Sequence, residues 1–324
     1  MKICLYGAGA VGGLIGARIA ATGQPLSVVA RGSTLAALQH DGLGLQQVDG
    51  RRHFAVTAVA DPGELGPQDL VIVAVKEPAM AAVAEAIGPL IGPDTKVMTA
   101  MNGVPWWFFD GLPGPLAGAT LTSVDPTGEL RSRIPSAQVI GCVVHIACAT
   151  LSPGVSLHKM GNGLVIGDAT GPVTVATRAV AGLLTAAGFD LTVSDRIQRD
   201  IWFKLWGNMT MNPVSAITGA TSDRILDDEL VESFCVRVME EAAAVGERIG
   251  CPVAQSPAER NAVTRKLGAM KTSMLQDVEA GRALEIDALL GVVHEIAGKA
   301  GVEVPNIAAL LGLVRLFART RGLY

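Results

Sequence analysis

Lys204, Asn208 and Asn212 recur at steps of four inside IWFKLWGNMTMNPVSAITG, residues 201–219. On a helix of about 3.6 residues per turn, that spacing puts the three side chains nearly in line on one face. Ser215 falls close to the same line. Trp202, Leu205, Trp206 and Met209 take up much of the remaining surface, which predicts a mostly buried helix. An ammonium in such surroundings needs a partner. Asn is a poor helix former that favours caps and turns, so two in line point to the edge of a cleft rather than a solvated stripe. Each amide offers a donor and an acceptor to a ligand. Pro213 removes a helical N–H directly after Asn212 and is expected to bend or interrupt the helix.

A second chemistry-bearing stretch opens the chain. GAGAVG, comprising Gly7, Ala8, Gly9, Ala10, Val11 and Gly12, follows the apolar run KICLY and leads into a helical pattern. It fits G-x-G-x-x-G, in which the first glycine makes the turn, the second admits a pyrophosphate and the third lets helix and strand pack closely. The N-terminus of the following helix offers unpaired N–H groups to the phosphates. A second strand, LSVVAR, ends in Arg31 rather than an acidic residue. A guanidinium fork there suits a ribose 2′-phosphate, so the expected cofactor is NADP (NADPH). Lys76, closing VIVAVK, adds a positive charge near the adenosine phosphate in this reading, with a surface lysine as the alternative. Asn102 in MNGV ends a further strand and is placed to reach the nicotinamide ribose or the substrate, although Asn-Gly is also a turn signal. The run PWWFF, Trp106–Phe109, reads as core or interface, with a pocket lining as the alternative.

These residues need elements to hold them. Strand patterns at 2–6, 26–31, 70–76, 95–103 and 118–124 alternate with helices, which gives a mostly parallel sheet covered on both faces. From about residue 137 come further strands in QVIGCVVHIACATL, VSLHKM, GLVIGD and LTVSD, the last after another helix. Beyond Asp195 only helical patterns remain, at 196–217, 228–249, 257–277, 284–300 and 306–320. The expected fold is α/β: a Rossmann-type NADP-binding domain at 1–195, followed by an all-α catalytic domain at 196–324. A net charge of −4 without a Lys/Arg block argues against a nucleic-acid surface. No apolar run approaches the roughly 18 residues of a membrane span. The charge-free stretch after Lys2 is explained by its regular glycines, so no targeting segment is read. Five cysteines, scattered and lacking C-x-x-C spacing, and isolated histidines imply a reduced, cytoplasmic protein without a metal site. The apolar helices of the second half permit a homodimer.

Together GAGAVG, Arg31, VAVK, NGV, WFKLWGNMTMNPVSAITG, TSMLQDVEAGR and EID at 285–287 resemble the ketopantoate reductase (2-dehydropantoate 2-reductase) family along essentially the full chain. The resemblance implies NADPH-dependent reduction of ketopantoate to D-pantoate, on the path to pantothenate and coenzyme A. It implies Lys204 as general acid, Asn208 and Asn212 as substrate-positioning amides, and Ser273 as a substrate contact. Glu285 matches the family's acidic active-site residue and Asn102 its active-site asparagine. The chemistry is coherent: hydride transfer to a 2-keto group builds negative charge on oxygen, and a lysine held within reach supplies the proton. Leu284 and Leu290 stand where many members carry threonine and asparagine, and the tryptophan-rich run is unusual. Both features raise the expectation of a more apolar 2-keto acid as an alternative substrate. A dehydrogenase of 3-hydroxy acids is disfavoured by the paired asparagines and EID. A non-catalytic NADP-binding regulator has no need of an acid.

Overall fold

Ile3–Tyr6 and Leu70–Val73 are apolar at every position and buried throughout, the pattern of central strands in a parallel sheet. In the computed structural model, which describes residues 1–324, they lie side by side within a ten-stranded sheet. The chain runs β1 (Ile3–Tyr6), α1 (Ala10–Ala21), β2 (Leu26–Val29), α2 (Gly32–Asp41), β3 (Leu43–Gln47), β4 (Gly50–Phe54) and β5 (Thr57–Val59). There follow β6 (Leu70–Val73), α3 (Met80–Ala86), β7 (Lys96–Thr99), α4 (Glu129–Arg133), β8 (Val139–Ser152), β9 (Val155–Asp168), α5 (Val175–Ala186) and β10 (Asp190–Val193). Six strands are parallel in the order β5-β2-β1-β6-β7-β8. That is the 3-2-1-4-5-6 order in which dinucleotide-binding sheets are wound, and ligands gather where it reverses, here between β1 and β6.

The sheet is extended by β9, which is antiparallel to β8 and parallel to β3 and β10. Sequence patterning splits this stretch into two strands at 155–160 and 163–168, yet it is one. Gly161, with φ at +78°, absorbs an irregularity opposite the register shift between His145 and Ala147. The β3–β4 hairpin and β5 carry too few apolar residues to stand out in sequence; Gly50–Phe54 is largely exposed.

The helical remainder comprises α6 (Ile197–Thr218), α7 (Ser222–Asp227), α8 (Glu229–Arg248), α9 (Pro257–Arg265), α10 (Ser273–Glu279), α11 (Val292–Ala300) and α12 (Pro305–Arg319). Side-chain caps set several starts. Asp228 accepts from Leu230 and Val231 N–H at 3.1 Å each, and Ser256 with Glu259 forms a reciprocal capping box. Trp206 Nε1 on α6 donates to the Met239 carbonyl of α8 at 2.7 Å, satisfying a buried indole. Two expected helices are subdivided. The one at 257–277 stops at Arg265, turns at Gly268 (φ +61°) and restarts after the Thr272 cap. The one at 284–300 opens with a π-helical turn at Asp287–Gly291. By contrast, α6 runs unbroken through Pro213.

Two compact units result: Met1–Met101 with Glu129–Ile197, and Asn102–Gly128 with Gln198–Tyr324. The strand expected at 118–124 is absent. That stretch is irregular, and the Glu295 carboxylate of α11 accepts hydrogen bonds from Thr122 N–H (2.9 Å), Thr122 hydroxyl (3.1 Å) and Ser123 N–H (2.8 Å). Residues 102–128, although they follow a strand of the sheet, therefore group with the helices.

Candidate active site

The glycine turn lies at the switch point of the first unit. Gly7 adopts φ +97°, and a side chain there would meet Val75 Cγ1 at 2.5 Å. Gly12 packs against the Gly7 carbonyl and Ala74, with no room for a Cβ; Gly13 sits likewise over Ser156 and Gly16 over Leu5, Leu43 and Leu26. Gly9 differs: a Cβ there would meet nothing within 4 Å. Gly9 is also the N-cap of α1 and brings no side chain to the helix's first N–H groups. An open approach over a glycine to an uncapped helix N-terminus fits a pyrophosphate. Ser156 on β9 supports the turn from below, donating to the Gly9 carbonyl at 3.2 Å. Ala8, Ala10 and Val11 complete the same turn and the start of α1.

Arg31 is exposed and forms the N-cap position of α2, at the end of β2 beside the glycine turn. Beneath it, burial raises the Tyr6 phenol above its ordinary pKa and the Arg31 guanidinium draws it partway back. No well-aligned hydrogen bond reaches that hydroxyl. Lys76 follows Val75 beyond β6, on the opposite side of β1 from Arg31. Their backbones therefore lie on either side of the glycine turn.

In the second unit, Lys204 is half-buried on α6 and its Nζ donates to Asn102 Oδ1 at 2.7 Å. The turn that presents Asn102 is fixed by Gly103, at φ +84°, which lies against the Ala288 carbonyl too closely for any side chain. Val104 N–H then donates to that carbonyl at 3.0 Å. Ala288 belongs to the π-helical turn directly after Glu285, so one backbone contact holds the Asn-Gly turn beside the segment carrying the buried glutamate. Leu284 N–H is bound to the Leu323 carbonyl at 3.0 Å, and Asp287 pairs with Arg315 and accepts from the Tyr324 hydroxyl at 2.7 Å. Glu285 is thus anchored on both flanks. Asn212 Nδ2 donates to Ser273 Oγ at 3.4 Å, joining the polar line of α6 to the first residue of α10, while Asn208 is half-buried between them.

Ser215 does not extend the line: its hydroxyl donates to the Ala220 carbonyl at 2.6 Å, where α6 ends. Trp106–Phe109 are each at most 2% exposed, and Phe108 meets Phe109 edge-on at 5.2 Å. They are core. Leu284 and Leu290 are buried as well. Arg260 of α9 lies across α6, its ring-facing Cζ 5.5 Å from the Phe203 centroid and its Nε where a Gly207 Cβ would come within 2.7 Å. A glycine in the middle of a 22-residue helix was the available hint. No group of metal-ligating side chains occurs.

The family model described as ketopantoate reductase PanE/ApbA matches residues 3–171, and its C-terminal counterpart matches residues 196–318. The 2-dehydropantoate 2-reductase of Mesorhizobium japonicum is 42% identical over 326 aligned positions, covering 100% of both chains. A ketopantoate reductase-like protein from Ralstonia solanacearum MolK2 has 56% identity and a TM-score of 0.96, covering 100% of this chain and 99% of its own. A PanE/ApbA family ketopantoate reductase from Ralstonia eutropha JMP134 has 28% identity and a TM-score of 0.83, covering 99% and 100%. On these matches, which span both units and carry the glycine turn as well as the lysine helix, the chain belongs to the ketopantoate reductase PanE/ApbA family.

Proposed function

We propose that this protein is an NADPH-dependent 2-dehydropantoate 2-reductase that reduces the ketone of ketopantoate, with Lys204 as the proton donor. The observation that carries the reading is the half-buried Lys204 ammonium held at 2.7 Å by Asn102 Oδ1, on the line of Asn208 and Asn212. When bound, NADPH supplies the hydride for the ketone carbon. Gly9 would admit its pyrophosphate to the N-terminus of α1, with Gly7 making the turn and Gly12 letting the helix pack closely, and Arg31 would meet its 2′-phosphate. Lys204 stabilises the developing alkoxide and gives it a proton. Asn102 aims the ammonium by accepting one of its N–H groups. Asn208, Asn212 and Ser273 hydrogen-bond the hydroxyl and carboxylate of the substrate. Glu285 keeps the lysine cationic and oriented.

The alternative of a more apolar 2-keto acid rested on Leu284, Leu290 and the aromatic run. All of them are buried, and the substrate panel below separates the two readings. No helix is long and apolar enough to cross a membrane. A homodimer accompanies this reading, since Leu313 and Leu316 are exposed together on one side of α12; light scattering on the eluting protein checks it. The deciding experiment follows NADPH absorbance after adding ketopantoate, beside a panel of other 2-keto acids and a repeat with NADH. Turnover is expected to be fastest with ketopantoate and NADPH. Preference for another keto acid would move the substrate, and no turnover on any would sink the reading.

A further inference from the structure

Tyr6 closes β1 with a hydroxyl that the fold does not fully satisfy. The residue is 6% exposed, its oxygen is buried, and no well-aligned hydrogen bond reaches it. Such a group is costly, and phenylalanine would fill the same space without that cost. The register of the sheet says what the hydroxyl faces. Tyr6 is paired with Val29 of the parallel strand β2. The ladder runs on past both strand ends, because Gly7 N–H donates to the Val29 carbonyl at 3.2 Å and Ala30 N–H to the Val59 carbonyl at 3.1 Å. Arg31 is itself extended, at φ −135° and ψ 162°. Leu26, Val28 and Ala30 share one core cluster with Ile3 and Leu5, so Val29, Arg31 and Tyr6 belong to the opposite face. With strands about 4.8 Å apart and a rise of about 3.3 Å per residue, the Tyr6 and Arg31 backbones stand on the order of 8 Å apart along the diagonal of that face. Two long side chains span that distance. Burial raises the phenol pKa, and the Arg31 guanidinium lowers it partway through its charge and a loosely aligned hydrogen bond. The phenol therefore stays neutral at working pH and presents its oxygen to the arginine as an acceptor.

We propose that Tyr6 is a positioning residue for the choice of NADPH over NADH: its hydroxyl oxygen accepts an N–H of Arg31 and steadies the guanidinium fork for the 2′-phosphate. The inference rests on the NADPH reading above. An exposed arginine has many rotamers to give up when it docks on a phosphate, and a contact that narrows them beforehand lowers the loss. NADH has no 2′-phosphate and gains nothing from the arrangement. A neutral hydroxyl suits this task better than a carboxylate, which would hold the arginine and repel the phosphate. The hydroxyl thus costs the free protein stability and contributes to cofactor selectivity.

The test is equilibrium titration of NADPH, NADH, adenosine 2′,5′-bisphosphate and AMP against wild type, Tyr6→Phe, Arg31→Ala and the double variant, with a melting curve of each. Tyr6→Phe is expected to weaken NADPH and the bisphosphate about 3–10-fold, to leave NADH and AMP unchanged, and to melt no lower than wild type. With Arg31 already replaced, Tyr6→Phe should change none of the four affinities. Tyr6→Leu repeats the titrations if the phenylalanine variant folds poorly. An unchanged ratio of NADPH to NADH affinity in a folded Tyr6 variant, an equal loss for both, or a loss that persists without Arg31 overturns the role. If Arg31→Ala lowers that ratio and Tyr6→Phe does not, the Arg31 assignment stands and the Tyr6 role falls. If Arg31→Ala leaves the ratio unchanged, the Arg31 assignment falls and the Tyr6 role with it. A wild type that binds both cofactors alike removes the NADPH reading and this role together.

Discussion

At the scale of single residues, the glycine turn separates into positions with different functions. Gly9 has open space where its side chain would be, at an ordinary φ of −76°, whereas Gly12 has none. Gly9→Ala should therefore leave thermal stability unchanged while weakening NADPH at least about tenfold, since the added methyl stands where the pyrophosphate approaches. Gly12→Ala should destabilise the fold by about 1–3 kcal/mol through overpacking. Paired melting curves and NADPH titrations check both. Lys204→Ala should lower kcat by about 10²–10⁴, the usual contribution of a positioned acid, with NADPH binding retained. A variant with near-normal turnover would remove the lysine from the mechanism. Most of these residues were legible in the sequence because their signals are local: a fixed glycine spacing and a step of four along one helix. Ser215 shared the step and not the role, because its hydroxyl satisfies a carbonyl at the helix end. Arg260 was illegible because only packing between α6 and α9 brings it to Gly207.

At the scale of elements, the sheet strands were readable where they are buried on both faces and lost where one face is solvated, as in β4. The segment after β7 was the main misreading. GATLTSV has the composition of a strand, but its N–H groups find a carboxylate rather than a sheet edge. Burial acts to raise the pKa of Glu295, and the hydrogen bonds from Ser123 and Thr122 outweigh it, holding the carboxyl below its ordinary 4.5. A depressed folded pKa means that the stabilisation is present at neutral pH and is lost as pH falls through the folded value. Glu295→Gln should therefore cost about 1.5–3 kcal/mol at pH 7. The difference from wild type should narrow below pH 4.5. Melting temperatures from pH 7 to pH 3 test this; a gap independent of pH would show that the charge is not what holds the loop.

At the scale of the whole molecule, the chain holds itself together without covalent links. None of the five cysteines forms a disulfide, and Cys148 alone among them is not buried. Burial pushes the thiols of Cys4 and Cys235 up to about 12 each. At pH 8 a disulfide reagent should titrate at most one thiol quickly in the native protein, and all five after denaturation. Fast reaction of more than one native thiol would mean that the core opens. The long-range grouping of 102–128 with the helices also orders events during synthesis. Trp106–Phe109 leave the ribosome before Trp202, which Phe108 meets at 6.2 Å, has been made. Glu295, which fastens Thr122, follows 173 residues after it. At about 5–20 residues per second, that delay lasts roughly 9–35 s. The excursion that gives the second unit its asparagine thus leaves four bulky aromatic residues without their helical partners until the second half of the chain has been made.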